Sequence, residues 1–363
     1  MGTGLRQIGY GVALAVLAVA CAAPAASPAE RAAVRPPAAG SAPPASGEAA
    51  PAPAAPAAPR ELRHVRLGMS TYSAAYMDEL VAMDKGYFDE EGLEIEPLIA
   101  GGGVLTPALV AGEIQFSTSA SSALSAMIQG ADLRVVYTSL DRPAYQLWSS
   151  TPDVRTLQDL VGRRVGISSR GDTHEISMRL LLKKHGIDPD SVVYAAVGSG
   201  AARISAIESG AVDAATLAPR DFLQLAQPRG NLLADIEEEI KLVYTGIATS
   251  GPLLRSEPGL VERFLRSVVK GREYARRYRE ETLAVLDKYT PTGRDVNEQD
   301  YDENVRIFTA EGWVPDEVIR DEVATRAQLI GATSPPAPSD LFDYSIVKKV
   351  YAELKARGWQ PTP

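Results

Sequence analysis

The sequence predicts an α/β protein of two lobes with a helical C-terminal region. Three observations carry that expectation. First, Leu67-Gly68-Met69-Ser70-Thr71 returns as Val165-Gly166-Ile167-Ser168-Ser169, an offset of 98 residues from Gly68 to Gly166. The segment from Ala108 to Phe116 returns as Ala206 to Ala214 on the same offset, and two matches in one register point to two similar halves. Second, short apolar runs alternate with helical patterns along the chain, the signature of a largely parallel sheet with helices on its faces. Third, about 300 residues follow the Ala/Pro-rich stretch, too many for one compact core.

The N-terminal segment is not part of that fold. Ile8 to Ala20 is apolar or small throughout and follows the single charge Arg6. Its 13 residues fit a secretory h-region rather than a membrane-spanning helix, which needs ~20. Leu17-Ala18-Val19-Ala20-Cys21 resembles a bacterial lipobox, with Ala18 where Leu is commoner, so residues 1–20 read as a signal peptide and Cys21 as a lipidated anchor. Cys21 is the sole cysteine, which excludes an intramolecular disulfide and a Cys-based metal or redox site. From Ala22 to Pro59, 28 of 38 residues are Ala or Pro, so residues 21–60 read as an extended tether reaching on the order of 100 Å from a membrane.

The formal charge of −9, which becomes −10 without Arg6, argues against a nucleic-acid partner. The basic group Lys270, Arg272, Arg276, Arg277 and Arg279 alternates with glutamates at helical spacing and is expected to be a solvated face.

The first strand is Val65 to Ser70. Met77, Leu80 and Val81 give the next helix an apolar face, and Gly86 stops it. A strand spans Leu93 to Ile99 and ends at Gly101-Gly102-Gly103. Thr106 and Pro107 start a short helix that stops at Gly112. A strand from Ile114 to Ser117 runs into the hydroxyl-rich turn Thr118 to Ser122 and another helix. Leu133 to Ser139 is the next strand, and Asp141-Arg142-Pro143 then breaks the pattern. This places the first part of lobe 1 at 61–143, lobe 2 at 144–245, and the return to lobe 1 with the C-terminal helices at 246–363.

Within lobe 2, an extended run covers Ala144 to Ser149, strands cover Arg164 to Ser168, Val192 to Val197 and Val212 to Leu217, and helices cover Thr173 to Lys184 and Arg203 to Ser209. A helical pattern near 221–227 precedes the returning strand, Lys241 to Thr249. Helices are expected for the stripe Leu260, Val261, Phe264, Leu265 and Val268, and for 301–309, 316–329 and 341–356. The hinges are expected at 139–149 and 246–252.

The stretch Ala82-Met83-Asp84-Lys85-Gly86-Tyr87-Phe88-Asp89-Glu90-Glu91-Gly92-Leu93-Glu94-Ile95-Glu96 resembles a recurring segment of ABC-importer solute-binding proteins. The branch is the one holding sulfonate, taurine, nitrate and thiamine-pyrimidine-precursor binders. Leu109 to Phe116, Leu157 to Ser168 and Leu181 to Ile187 add further matches. The resemblance implies the type II periplasmic-binding-protein fold, whose two lobes close on a small-molecule ligand. It also implies an ABC permease as partner; a monomer is expected, and the lipobox implies membrane attachment through Cys21 facing the periplasm or cell surface.

Strand ends that open into helix N-termini are where such sheets bind small molecules. The candidate ligand-binding residues are therefore Ser70, Thr71, Tyr72, Tyr76, Ser117, Thr118, Ser119, Ser168, Ser169 and Thr173. Hydroxyls and backbone N–H groups at helix starts favour an anionic ligand, although Ser and Thr are also ordinary caps. Arg142, Arg170, Arg203 and Arg220 stand near loop tips, where they could neutralise an anion. No cofactor or metal is expected, since His64, His174 and His185 show no ligand spacing.

Ser168, Asp172 and His174 look like hydrolase parts. Arg170 nevertheless stands where a nucleophile elbow needs its second Gly, and the expected export argues against the cytosolic enzymes of this fold. A binding protein that is not an enzyme is the primary reading. A ligand-sensing receptor subunit is the alternative, with an enzyme behind it.

Overall fold

The computed structural model describes residues 62–218, 221 and 230–363. The signal segment, the tether with Cys21, Arg220 and most of the pattern at 221–227 lie outside them. Ten strands are described: β1 Arg63–Met69, β2 Leu93–Ile99, β3 Phe116–Ser117, β4 Leu133–Leu140, β5 Gln146–Ser149, β6 Arg164–Ile167, β7 Val193–Ala196, β8 Ala214–Leu217, β9 Asn231–Asp235 and β10 Thr245–Ser250. They form two five-stranded sheets, ordered β2-β1-β3-β10-β4 and β7-β6-β8-β5-β9.

The repeat is structural. In lobe 1, Leu67 pairs with Phe116 and Gly68 with Ser117; in lobe 2, Val165 pairs with Ala214 and Gly166 with Ala215, each 98 residues on. Each sheet pairs its first three strands in parallel and adds an antiparallel fourth, β10 in lobe 1 and β5 in lobe 2. The repeated glycines serve close packing. A Cβ on Gly68 would come within 2.7 Å of Ile114 Cδ1 and Leu105 Cδ2, and one on Gly166 within 3.1 Å of Ala215 Cβ and 3.4 Å of Val212 Cγ2.

Several elements differ from the expectations, for identifiable reasons. The helix after β2 spans Gly102–Val110 instead of starting at Thr106. Gly102 lies so close to the next helix that a Cβ would meet Ser122 Oγ at 2.3 Å, so the glycine admits a contact instead of breaking the chain. The helix expected from Arg203 likewise begins earlier, at Gly200, where the Ser199 side chain accepts from the Ala202 N–H. The second connection between the lobes is not 246–252, because β10 takes up that span to Ser250, pairing with β3 and β4, and the helix Gly251–Ser256 takes up the rest. The chain crosses back at 240–244, where Leu242 N donates to Asp141 O at 2.9 Å and Tyr244 N to Leu140 O at 3.0 Å. The two hinge segments are thus zipped together.

The C-terminal helices Pro258–Arg277, Arg279–Tyr289, Arg294–Arg306, Asp316–Leu329 and Ser345–Ala356 cover lobe 1. The apolar stripe of the first packs inward, with Phe264 stacked on Phe116 at 3.8 Å. The basic group on that helix is not wholly a solvated face. Arg272 is fully buried, donating to the Tyr137 hydroxyl at 2.9 Å and to the Thr309 carbonyl, and Lys270 is also buried, bound to Glu90 and Glu91. Asp78 Oδ2 accepts from Tyr137 at 2.5 Å and from Ser139 at 2.6 Å, which completes a polar network inside lobe 1.

Candidate functional site

The ends of β1, β3 and β6 meet at a cavity of about 340 Å³. Ser70 and Thr71 reach it from β1, Tyr76 from the short helical turn beyond, and Thr118 and Ser119 from the end of β3. Ser168 and Thr173 reach it from lobe 2. Ser70 Oγ and Ser119 Oγ are 2.8 Å apart, so adjacent strand ends are tied before any ligand arrives. Ser121 Oγ lies 3.1 Å from Thr173 Oγ1, which joins the rims of the two lobes.

Three candidate residues do not line the cavity. Tyr72 packs against Tyr289 with ring centroids 6.1 Å apart. The Ser117 hydroxyl turns into the strand end and accepts from the Ser119 N–H at 3.2 Å. Ser169 is exposed, with its hydroxyl on Asp172 Oδ2 at 3.3 Å, an ordinary turn-stabilising role.

The described arginines point elsewhere. Arg142 pairs with Asp141, Arg170 with Glu175, and Arg203 is buried on the carbonyls of Thr216 and Gly198. The two helix starts at the cavity also differ. In lobe 2, Asp172 caps the helix Thr173–Lys184 by accepting from the Glu175 N–H. In lobe 1, Ser119 makes no side-chain cap to the helix Ala120–Ile128, leaving that N-terminus open to a ligand acceptor.

Other lining residues carry no strand-end signal. Tyr145 and Tyr244 come from the hinge segments, and His174 stacks on Tyr145 at 3.8 Å while its Nδ1 lies 2.8 Å from Thr216 Oγ1. His174 stands 98 residues after Tyr76, so the repeat itself marked it. Asp300, Glu303 and Asn304 come from the helix Arg294–Arg306, far along the chain. Thr245 Oγ1 is buried beside the cavity without a hydrogen-bond partner among the described residues. Burial pushes the Tyr76 hydroxyl up to about 12 against the pull of Ser70, and it pushes Tyr145 well above the usual phenol range. Both rings are therefore neutral at pH 7 and can donate as well as accept.

Residues 74–282, more than half of the chain, match the family model described as NMT1/THI5 like. A provisionally named binding protein, YtlA of Bacillus subtilis (strain 168), is 23% identical over 310 residues, covering 80% of this chain and 90% of its own. The periplasmic aliphatic sulphonate binding protein SsuA from Escherichia coli superposes with a TM-score of 0.65 at 17% identity, over 79% of this chain and 99% of its own. DszB in complex with biphenyl-2-sulfinic acid superposes at 0.56 and 14% identity, over 80% and 99%. These likenesses identify the fold as that of periplasmic binding proteins.

Proposed function

The chain belongs to the NMT1/THI5-like family, and on that premise we propose that it is the extracytoplasmic solute-binding component of an ABC importer. The observation that carries the proposal is the cavity of about 340 Å³ at the strand ends, lined from both lobes and from both hinge segments. A ligand held there contacts every part that moves when the lobes separate, so its binding favours the closed arrangement. A permease that recognises the closed form then receives the loaded protein, while lipidated Cys21 holds it at the membrane.

The ligand is a small organic molecule. Its acceptor or anionic end sits at the open helix start at Ala120, among the hydroxyls of Ser70, Thr118, Ser119 and Ser122. Backbone N–H groups and hydroxyls, not a lining arginine among the described residues, receive that charge. The opposite wall, with Asp172, Tyr145 and Tyr244, suits a body that is flat or carries donors.

A thermal-shift screen tests this. The compounds are an alkane sulfonate, nitrate, taurine, an aminopyrimidine and simple carboxylates. A binder at a hundred times its Kd stabilises by ~2.7 kcal/mol, a shift of several degrees. Loss of that shift in Thr118→Leu, which removes a lining hydroxyl and adds bulk at the cavity wall, places the binder there. A folded protein that responds to none of these compounds contradicts the proposed ligand class.

A further inference from the structure

The surroundings of Arg326 join three parts of the molecule. It lies on the helix Asp316–Leu329 with 1% of its surface exposed. Its Nε and Nη2 grip Glu322 Oε1 at 2.9 and 2.8 Å, one turn back on the same helix. The other oxygen, Glu322 Oε2, accepts from the Val243 N–H of the return hinge at 2.7 Å. The outer edge of the guanidinium reaches Ser121 Oγ at 2.6 Å and Ser125 Oγ at 3.2 Å in lobe 1, and the Gly171 carbonyl of lobe 2 at 3.4 Å. Leu329, on the same helix, packs against the hydrophobic core of lobe 2.

Ser121 is the link to the cavity. It lines the cavity and also meets Thr173 Oγ1 across the cleft. Arg326 therefore orients the hydroxyl that bridges the rims, while holding the lobe 2 loop through a backbone carbonyl that no side-chain substitution removes. A planar fork serves this geometry because its donors diverge at fixed angles. A lysine carries its three donors on one nitrogen, whereas the contacts with Glu322, Ser121 and Gly171 are made from three separate nitrogens of the guanidinium.

We propose that Arg326 is a positioning residue that ties the hinge to both rims and biases the lobes toward the closed arrangement. This rests on the cavity being the ligand site, as proposed above. Arg326 does not line the cavity, so it acts through Ser121 and the Gly171 loop.

The test reads lobe separation without any ligand, so a screen that finds no binder leaves it intact. In a full-length Cys21→Ser background, spin labels are placed through Val110→Cys in lobe 1 and Val193→Cys in lobe 2, both more than half exposed. Pulsed electron resonance then gives the distribution of distances between the lobes. Arg326→Gln is expected to raise the open-to-closed ratio by about fivefold, the scale of losing one net hydrogen bond. Arg326→Lys keeps the charge beside Glu322 and is expected to fall between Gln and the parent. Ser125→Ala removes a contact internal to lobe 1 and is expected to leave the distribution unchanged. Should Arg326→Gln fail to fold, an unchanged distribution in Arg326→Lys overturns the proposal. A purely structural role predicts lower melting temperatures with the distances of the parent, and that outcome overturns it as well.

Discussion

Lobe 1 and lobe 2 share a strand order and a register of pairing, yet they are held together differently. Inside lobe 1, Asp78, Glu79, Tyr137 and Arg272 are all buried, and the C-terminal helices pack over the lobe 1 core. Lobe 2 has a smaller core; it buries the pair Arg179 and Glu175, but other pairs lie at the surface, as in Arg163 with Asp153 and His185 with Glu239. Position 105 in lobe 1 is a core leucine; its counterpart 98 residues on is Arg203, whose guanidinium caps the carbonyls of Thr216 and Gly198. The duplicated part is the scaffold, and the chemistry on it has diverged.

The sharpest way to break that contrast is to remove the buried cation. Arg272→Ala leaves Asp78 and Glu79 without their counter-charge, and urea unfolding is expected to show a loss of ~3–5 kcal/mol. Removing a solvent-screened lobe 2 cation with Arg163→Ala, which pairs with Asp153 at the surface, is expected to leave the urea midpoint almost unchanged. Equal losses would dissolve the distinction between the lobes.

The repeated glycines offer a middle-sized test. Gly68→Ala must displace two buried side-chain ends, at a cost of ~1–3 kcal/mol, while Gly166→Ala meets one tight contact and is expected to cost less. Melting temperatures of the two variants check the order.

The smallest effects concern pH, and they have opposite signs in the two lobes. Burial, with Asp78 adding repulsion, holds Glu79 well above its ordinary 4.5. Its folded form therefore binds the proton more tightly, and stability falls as pH rises above 4.5. Glu79→Gln is expected to gain stability at pH 7, the gain vanishing below that value. Burial also pushes Glu239 upward, but hydrogen bonds from His185 and Lys184 outweigh it and hold the carboxyl low. Its contribution is present at neutral pH and is lost as pH falls, so Glu239→Gln is expected to cost about 0.5 kcal/mol at pH 7 and nothing in acid. Unfolding curves at pH 4 and pH 7 separate the two behaviours.

These contrasts also explain what the sequence reveals. The scaffold is legible because strand sterics impose a periodicity and because close packing demands small residues at matching places, as at Gly68 and Gly166. Strand-end hydroxyls are legible for the same reason, and Ser70, Thr118, Ser119, Ser168 and Thr173 do reach the cavity. Side-chain direction is not encoded locally, so Tyr72 and Ser117 turn away. Asp300, Glu303 and Arg326 arrive from helices whose placement depends on long-range packing, and nothing in their local pattern marks them. The polar helix Arg279–Tyr289 escapes notice because its buried face, with Leu283 and Leu286, is narrow. Arg272 is misleading because a charge at helical spacing normally faces water.

The proposed function stands or falls on one small molecule binding between the lobes. The most direct measurement is the thermal shift of the parent and of Thr118→Leu with each compound of the screen. At least one organic compound of the screen is expected to raise the parent's melting temperature by several degrees and to leave Thr118→Leu unmoved. A shift of the same size in both proteins, or none in a folded parent, would contradict it.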